Sequence, residues 1–309
     1  MIDLTSAPYR LITRTDFDGV VCAALLRHIG LVDEVTFAHP KDMQDGLIDV
    51  SDGDITAGMP YVEGVRIAFD HHVNERLRVG DTGNLIIPEN APSTSRVIVE
   101  HFGPDQFGAG FMELVEAVDT VETLTFSHAE VLSPEGWLLL NFILDQRSGL
   151  ARFARFRLSN HQLLIQLIDY FGKSPVDEIL SLPDVAERVE VYRSHEPLLK
   201  SQLLRCGRME GRLLVVDFRG EDQVYPGNRF VKFALFPDCH ASVVVAWGFR
   251  KERTVVSVER SIFTRTCVVD VGRLLVDYGG GGHANAGTVQ VANDRAPSVI
   301  TEITEQLRN

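Results

Sequence analysis

Residues 65–72 have the sequence Val65-Arg66-Ile67-Ala68-Phe69-Asp70-His71-His72, an apolar run that ends in an acid and two histidines. A second apolar run, Leu11-Ile12-Thr13, leads into Thr15-Asp16-Phe17-Asp18-Gly19. Both runs are typical of short buried strands, and an open α/β sheet places its ligands beyond the carboxyl ends of its strands. Carboxylate and imidazole groups bind hard and borderline divalent metals. The sequence therefore predicts a metal centre at one edge of a sheet.

The composition limits the class of protein. The chain has 309 residues, of which 45% are hydrophobic and 24% charged, so two domains with their own cores are possible. A net charge of −13 argues against a protein that coats duplex DNA through a broad basic face. The four scattered cysteines favour a reducing compartment. With no signal-peptide pattern and no apolar run approaching the about 18 residues of a membrane span, we expect a cytoplasmic protein without membrane contact.

The order of patterns along the chain predicts the fold class. β-type runs and helical patterns alternate over residues 9–102, which is typical of parallel strands joined by crossover helices. Residues 111–204 are mainly helical in pattern, and β-type runs return after Gly211. We expect an α/β protein, with an N-terminal parallel sheet covered by helices on both faces and a smaller C-terminal α/β domain. The expected parts are a metal-binding domain at 1–185, a helical linker at 186–210 and a substrate-binding domain at 211–309.

The acids and histidines differ in how strongly they indicate a metal. Asp16 and Asp18 are two residues apart, so in extended backbone their like charges lie close and repel unless a cation separates them; alternatively, Asp18 caps the following helix. Two consecutive histidines in extended backbone point to opposite sides, so at most one of His71 and His72 is expected to bind the metal. The other is available for the substrate.

Two further acids are candidate ligands. Asp54 lies in a polar stretch before the Val65 run, where a solvated loop is an equal alternative and Asp52 a rival. Asp119 ends an apolar helical run, and a carboxylate buried there needs a partner, for which we favour the metal.

The run Gly279 to Gly282, followed by His283, has two interpretations. Glycines end helices as simple caps, but they also let backbone N–H groups approach phosphate oxygens closely. Together with the N-terminal motifs, the run favours phosphate binding, and Arg260 is a second candidate for that role.

The ordered motifs resemble those of the DHH phosphoesterases. They are Thr15-Asp16-Phe17-Asp18-Gly19, Asp70-His71-His72, Ser93-Thr94-Ser95 and Asp119 in the first part, and Arg260-Ser261 with Gly279-Gly280-Gly281-Gly282-His283 in the second. The second set is similar to the C-terminal substrate-binding motif of that superfamily, the DHHA1 domain. Within the superfamily, the chain looks most similar to the group named for exopolyphosphatase, oligoribonuclease and phosphoadenosine-phosphate phosphatase activities.

The resemblance implies a metal-dependent hydrolase of short oligoribonucleotides, nucleoside bisphosphates or related phosphoesters. One ion, usually Mn²⁺ with Mg²⁺ or Co²⁺ possible, is implied at Asp18, Asp54, His71 and Asp119. A second is implied at Asp16 and Asp54, with Asp54 bridging. His72 is implied to contact the scissile phosphate, and Arg260, Ser261, Gly280, Gly281, Gly282 and His283 to bind the rest of the substrate.

One position departs from the pattern of the superfamily. Relatives usually have a histidine or an aspartate, a ligand of the second metal, where this chain has Arg14. A guanidinium has no lone pair to offer a metal. One ion or two are therefore compatible with the sequence, and Arg14 is expected to bind a phosphate or to lie at the surface. A polyphosphatase, a catalytically weakened nucleotide-binding protein and a homodimer are further hypotheses.

Overall fold

The computed structural model describes Leu4 and residues 8–152 and 155–308. These residues fall into two units. The first lies within Met1–Phe126 and Pro134–Val191, and the second within Ser127–Ser133 and Tyr192–Asn309. That residues 1–185, 186–210 and 211–309 form a domain, a linker and a second domain stays a prediction.

The sheet of the first unit is parallel throughout. Its strands are β1 (Tyr9–Arg14), β2 (Val32–Ala38), β3 (Asp54–Ala57), β4 (Ile67–Phe69) and β5 (Leu85–Ile86). They lie in the order β2-β1-β3-β4-β5. Because the strand order reverses between β1 and β3, the crevice beyond their carboxyl ends is where a doubly wound sheet binds its ligand.

Helices cover both faces of this sheet, as predicted. Those that precede the second unit are α1 (Phe17–His28), α2 (Pro40–Gln44), α3 (Asn74–Val79), α4 (Thr94–Phe102) and α5 (Ala109–Thr123). Adjacent residues of β1 show the two faces: Leu11 belongs to the large core formed with α1, α4 and α5, whereas Ile12 packs with Met43 of α2. Asp16 starts α1 by accepting a hydrogen bond from the Gly19 N–H at 3.0 Å.

The remaining helices of the first unit follow a short segment that belongs to the second. That segment contains α6 (His128–Leu132), and the helices after it are α7 (Gly136–Leu144), α8 (Asn160–Ile168), α9 (Val176–Ser181) and α10 (Pro183–Cys206). The two units divide within α10, between Val191 and Tyr192. Among the described helices, none combines the length and apolarity that a membrane crossing requires.

The second unit has a mixed six-stranded sheet. Its strands are β6 (Gly207–Glu210), β7 (Leu213–Asp217), β8 (Ala241–Trp247), β9 (Arg253–Arg260), β10 (Gly281–His283) and β11 (Ala286–Ala292). The order is β10-β11-β9-β8-β7-β6, and only the β7–β8 pair is parallel. The other helices are α11 (Val231–Leu235), α12 (Val271–Val276) and α13 (Ala296–Leu307). The valine-rich strands pack against α12 and α13, which confirms a second α/β unit.

Candidate metal centre

Asp18 is fixed by the start of a neighbouring helix. This residue lies in the first turn of α1 and is 5% exposed. Its two carboxylate oxygens accept hydrogen bonds from the backbone N–H groups of Thr94 and Ser95, each at 2.9 Å. The N-terminus of α4 therefore compensates part of the negative charge of Asp18. This contact explains the Ser93-Thr94-Ser95 motif, and the N-cap of α1 is Asp16 rather than Asp18.

His71 follows β4 and lies between two carboxylates. Its Nδ1 is 2.8 Å from the Thr94 hydroxyl and 3.9 Å from an oxygen of Asp18, while its Nε2 is 3.8 Å from an oxygen of Glu122. Burial lowers the pKa of His71 and outweighs the opposing effect of Asp18. With the proton on Nδ1 and donated to Thr94, the Nε2 lone pair is directed toward Glu122, as a metal-binding imidazole requires.

Asp70 holds the adjacent histidine. One oxygen of this buried carboxylate accepts hydrogen bonds from His72 Nδ1 at 2.7 Å and from the His71 backbone N–H at 2.8 Å. The hydrogen bond to Asp70 raises the pKa of His72. The backbone leaves the strand after Phe69, so the two imidazole rings lie side by side with centroids 4.0 Å apart. The expectation that they point to opposite sides was therefore wrong, because it assumed extended backbone.

Glu122, near the end of α5, was not identified from the sequence. Burial raises its pKa to about 8, with further contributions from the negative charges of Asp18 and Asp16. In the sequence it is one acid among several in an apolar helix, three residues after Asp119. Because residues three apart in a helix lie one turn apart, the spacing from Asp119 was the one sequence feature that could have indicated Glu122 as a candidate ligand.

Asp16 is paired with Arg14 at the end of β1. Its Oδ2 accepts a hydrogen bond from Arg14 Nε at 2.6 Å. Burial lowers the pKa of Arg14, but Asp16, Glu122 and Asp18 together raise it further, so the net shift is upward. Arg14 thus lies among the carboxylates of the centre rather than pointing away from them.

Asp119 has a different role from the one predicted. Its carboxylate accepts hydrogen bonds from Arg96 Nε and Nη2, at 2.9 and 2.6 Å, and from the Ser93 hydroxyl at 2.6 Å. Ser93 in turn caps α4 through the Arg96 N–H. Asp119 therefore supports the N-terminus of α4, and the α5 acid next to His71 is Glu122.

Asp54 lies at the other edge of the sheet, so the assignment of a bridging ligand to it is corrected. It is the first residue of β3 and pairs in register with Arg10, whereas Arg14 is the last residue of β1 and Asp16 follows that strand. Its oxygens accept hydrogen bonds from Arg10 Nε at 2.7 Å and from the Ser51 N–H at 2.7 Å. The rival, Asp52, is exposed in the loop before the same strand. Neither acid reaches the carboxyl edge.

The residues that do meet fit a divalent metal. Asp70, His71 and His72 place one ligand atom each within 4.8 Å of one another, and Asp18 and Glu122 flank His71, with carboxylate oxygens 3.9 Å from its Nδ1 and 3.8 Å from its Nε2. Burial raises the pKa of Glu122 most, and the negative charges of Asp18 and Asp16 add to the rise, a repulsion that a cation between these acids would relieve. When bound, such an ion activates water and compensates phosphate charge.

The glycine run of the second unit is partly explained by packing. The N–H groups of Gly279 and Gly280 donate to the carbonyls of Val276 and Leu275, so these glycines end α12 as a cap. A Cβ at Gly282 would lie 2.2 Å from the Ala286 carbonyl oxygen. The N–H of Gly280 is already bonded, whereas His283 is exposed and Gly281 has open space beside its Cα.

Arg260 and Ser261 follow one another at the end of β9. The Ser261 hydroxyl accepts hydrogen bonds from the N–H groups of Phe263 and Thr264, so its first role is to form a turn. The preceding acid, Glu259, is paired with Arg229 and Lys232. Within the described part of the chain, the Arg260 guanidinium has no hydrogen bond or ion pair, which leaves its donors available to an anion.

The fold and the centre define a metal-dependent phosphohydrolase. A pGpG-specific phosphodiesterase of Vibrio cholerae, PggH, is 45% identical to this chain, with a TM-score of 0.88 over 97% of this chain and 98% of that one. The chain belongs to the DHH phosphoesterase superfamily, as its motifs implied.

More distant structures share the fold alone. RecJ of Thermus thermophilus, in complex with Mn²⁺, is 14% identical with a TM-score of 0.52 over 97% of this chain and 52% of RecJ. The DHH domain of a protein described as a member of a ribosomal protein family is 12% identical, with a TM-score of 0.55 over 97% of this chain and 87% of that one. No family profile and no curated protein matches the chain.

Proposed function

We propose that this enzyme is a phosphodiesterase of short linear oligoribonucleotides, with a dinucleotide of the pGpG type as its substrate. The observation that carries the proposal is the 45% identity to a pGpG-specific phosphodiesterase over essentially the whole of both chains. The acidic net charge agrees with a short substrate, since a long nucleic acid needs a continuous basic surface.

Asp18, His71 and Glu122 are the proposed metal ligands, and Mn²⁺ is the ion to test first, before Mg²⁺ and Co²⁺. The two α4 N–H groups on Asp18 and the Thr94 hydroxyl on His71 hold these side chains in place. Such supporting contacts fix ligand orientation and typically contribute about 10- to 100-fold to metal affinity.

His72 is the proposed donor to the scissile phosphate. Its Nδ1–H is held by Asp70, and its pKa is raised, so the ring carries its second proton on Nε2 over a wider pH range than an unpaired histidine. The His72 side chain is 47% exposed, and Nε2 has no hydrogen-bond partner within the described part of the chain. This nitrogen can therefore donate to a phosphate oxygen or protonate the leaving oxygen.

The second unit is proposed to bind the remaining phosphate and sugar groups. Arg260 supplies a guanidinium that no group in the described ranges engages, and His283 supplies an exposed imidazole beside the Gly281 backbone. Both groups suit phosphate oxygens, which accept charge-assisted hydrogen bonds. Ser261 and Gly282 are proposed to shape this surface, since their own groups serve the local backbone.

The test is a direct comparison of substrates. Purified protein is incubated with Mn²⁺ and pGpG, a longer oligoribonucleotide or polyphosphate, and the products are separated by ion-exchange chromatography. We expect mononucleotide release from pGpG, with kcat/KM falling as the oligonucleotide lengthens. Faster phosphate release from polyphosphate would identify a polyphosphatase, and binding of pGpG without turnover would identify a binding protein.

A matched pair of variants ties the activity to the centre. Asp18→Asn removes a proposed ligand, and Asp52→Asn changes an exposed acid at the opposite edge of the same sheet. We expect the first to abolish turnover and the second to leave it unchanged. Cytoplasmic localisation stays part of the proposal, which four free cysteines favour, and the homodimer stays a prediction.

A further inference from the structure

We propose that this centre takes a single divalent ion and that Arg14 supplies the second positive charge to the phosphate. The inference rests on the proposed function, because it assigns roles within the same site. The sequence was compatible with one ion or two, and the proposal is for one.

Arg14 is placed and oriented for a phosphate. It is the last residue of β1, at the crevice where the strand order reverses, and its Nε is held by Asp16 at 2.6 Å. Its side chain is 40% exposed, and within the described residues Nη1 and Nη2 have no hydrogen-bond partner. A guanidinium anchored through Nε keeps two parallel N–H donors for the oxygens of a phosphate.

Gly58 makes room for this arginine. It follows β3, the strand on the other side of the crevice, and its N–H donates to the Phe69 carbonyl at 2.9 Å. A Cβ at Gly58 would lie 3.5 Å from Arg14 Cδ and 3.2 Å from the Thr94 hydroxyl that holds His71, and the backbone there has φ +63°. At the end of β3 a glycine, rather than a carboxylate or an imidazole, therefore faces the Arg14 side chain.

The charge of the cluster also suits one ion. Asp16 is already paired with the Arg14 guanidinium at 2.6 Å, which leaves Asp18 and Glu122 as the two carboxylates beside His71, and one divalent ion matches two carboxylates. Asp70 and His72 form a separate pair. A second divalent ion would leave two uncompensated positive charges beside a guanidinium, and like charges at this range repel strongly.

The two cations then have different tasks. Asp18, His71 and Glu122 would hold the divalent ion, and the Arg14 fork would donate to the non-bridging phosphate oxygens. Negative charge on these oxygens grows toward the transition state, and a fixed donor that meets it there is typically worth about 10²- to 10³-fold in kcat.

The test counts metal ions without substrate. Full-length protein is equilibrated with Mn²⁺ in excess, passed through a desalting column, and its metal content is measured by inductively coupled plasma mass spectrometry. We expect one Mn²⁺ per chain, with the electron paramagnetic resonance spectrum of an isolated ion. Two Mn²⁺ per chain, or a spectrum of coupled ions, would overturn the inference.

Three variants assign the effect to Arg14. Arg14→His removes the hydrogen bond from Arg14 to Asp16 and places an imidazole beside that carboxylate. We therefore expect a second Mn²⁺ per chain and the electron paramagnetic resonance spectrum of two coupled ions. In Arg14→Lys the charge is kept, so we expect one Mn²⁺ with kcat reduced about 10²-fold. The matched control is Arg10→Lys, on the same strand but at the other edge, for which we expect one Mn²⁺ and unchanged kcat.

A folded Arg14→His protein that still binds one Mn²⁺ would show that Arg14 does not occupy the place of a cation. If that variant does not fold, Arg14→Gln gives the same decision, since loss of the guanidinium should tighten binding of the first Mn²⁺ by about tenfold or more. Unchanged or weaker binding would overturn the inference.

The two proposals fail separately. Cleavage of pGpG by a protein that holds two ions would overturn the single-ion centre and leave the function intact. One bound ion with no turnover of pGpG would do the reverse.

Discussion

Replacing Asp54 by asparagine separates a structural carboxylate from a metal ligand. The side chain is 3% exposed, and one oxygen accepts from Arg10 Nε at 2.7 Å while the other accepts from Arg10 Nη2 at 3.0 Å and from Ser51. Asparagine keeps the shape but removes the charge and points two N–H donors at groups that are themselves donors.

The cost follows from burial and partners. Breaking a buried ion pair typically costs about 3–5 kcal/mol, and the 31% exposure of Arg10 lets water solvate its charge, so we take the lower end, about 3 kcal/mol. For a unit of this size, that corresponds to a melting temperature lower by roughly 6–12 °C. Asp54 lies at the amino end of β3, and the candidate metal centre lies beyond the carboxyl ends of the strands. Bound Mn²⁺ and kcat/KM should therefore stay at the wild-type values.

The pH dependence gives an independent check. Burial alone would raise the pKa of Asp54, but Arg10 and Ser51 lower it more, so the net shift is downward. A carboxylate with a depressed pKa stabilises fully above its ordinary pKa of about 3.9 and loses that contribution as pH falls through the lower folded value. The difference between wild type and Asp54→Asn should therefore be constant from neutral pH to about pH 5 and shrink below about pH 4.

Scanning calorimetry with Mn²⁺ analysis measures both quantities, and Asp52→Asn, an exposed acid in the same loop, is the control expected to change neither. Loss of bound Mn²⁺ in Asp54→Asn at an unchanged melting temperature would refute the placement of this residue. It would restore the ligand role that its position in the motif order implied.

Three further results are expected. Glu122→Gln should weaken Mn²⁺ binding by about 10- to 100-fold in titration calorimetry without lowering the melting temperature, since burial and the charges of Asp18 and Asp16 already disfavour the ionised carboxylate when no ion is bound; unaltered affinity would exclude it as a ligand. Gly282→Ala should destabilise the second unit by about 2 kcal/mol or more in urea unfolding, because its Cβ meets the Ala286 carbonyl at 2.2 Å, whereas Gly281→Ala has open space and should be neutral; equal stability of the two variants would contradict the packing. Arg260→Ala should raise the KM for pGpG about tenfold or more with bound Mn²⁺ unchanged, and an unchanged KM would remove Arg260 from the substrate site.

The sequence predicted the class of both units and most of their long elements. The strand containing Leu11-Ile12-Thr13 and the helix near Asp18 were expected, because apolar runs bounded by polar turns are strong local signals. The strand β3 was missed. Its four residues are too few for a periodic pattern, so Asp54 was placed in a loop and its register with Arg10 had no trace in the sequence.

The centre shows where local signals end. Asp119 and Glu122 are both acids on one apolar helix, and the sequence does not contain the rotation of that helix about its axis. Packing of α5 against α1 and α4 sets this rotation, which presents Glu122 to His71 and leaves Asp119 with Arg96. The close packing of the Arg14 side chain against Gly58 likewise depends on β1 and β3, which are neighbours in the sheet but distant in the chain.

The hold of α4 on Asp18 has a practical consequence for anyone who purifies this enzyme. Since two backbone amides already satisfy the carboxylate, the polypeptide does not need its ion to keep the side chain in position. Stripping with a chelator should leave a folded, storable protein that regains full turnover on reconstitution. The native ion can then be exchanged for spectroscopic substitutes in a dialysis bag, with no refolding step.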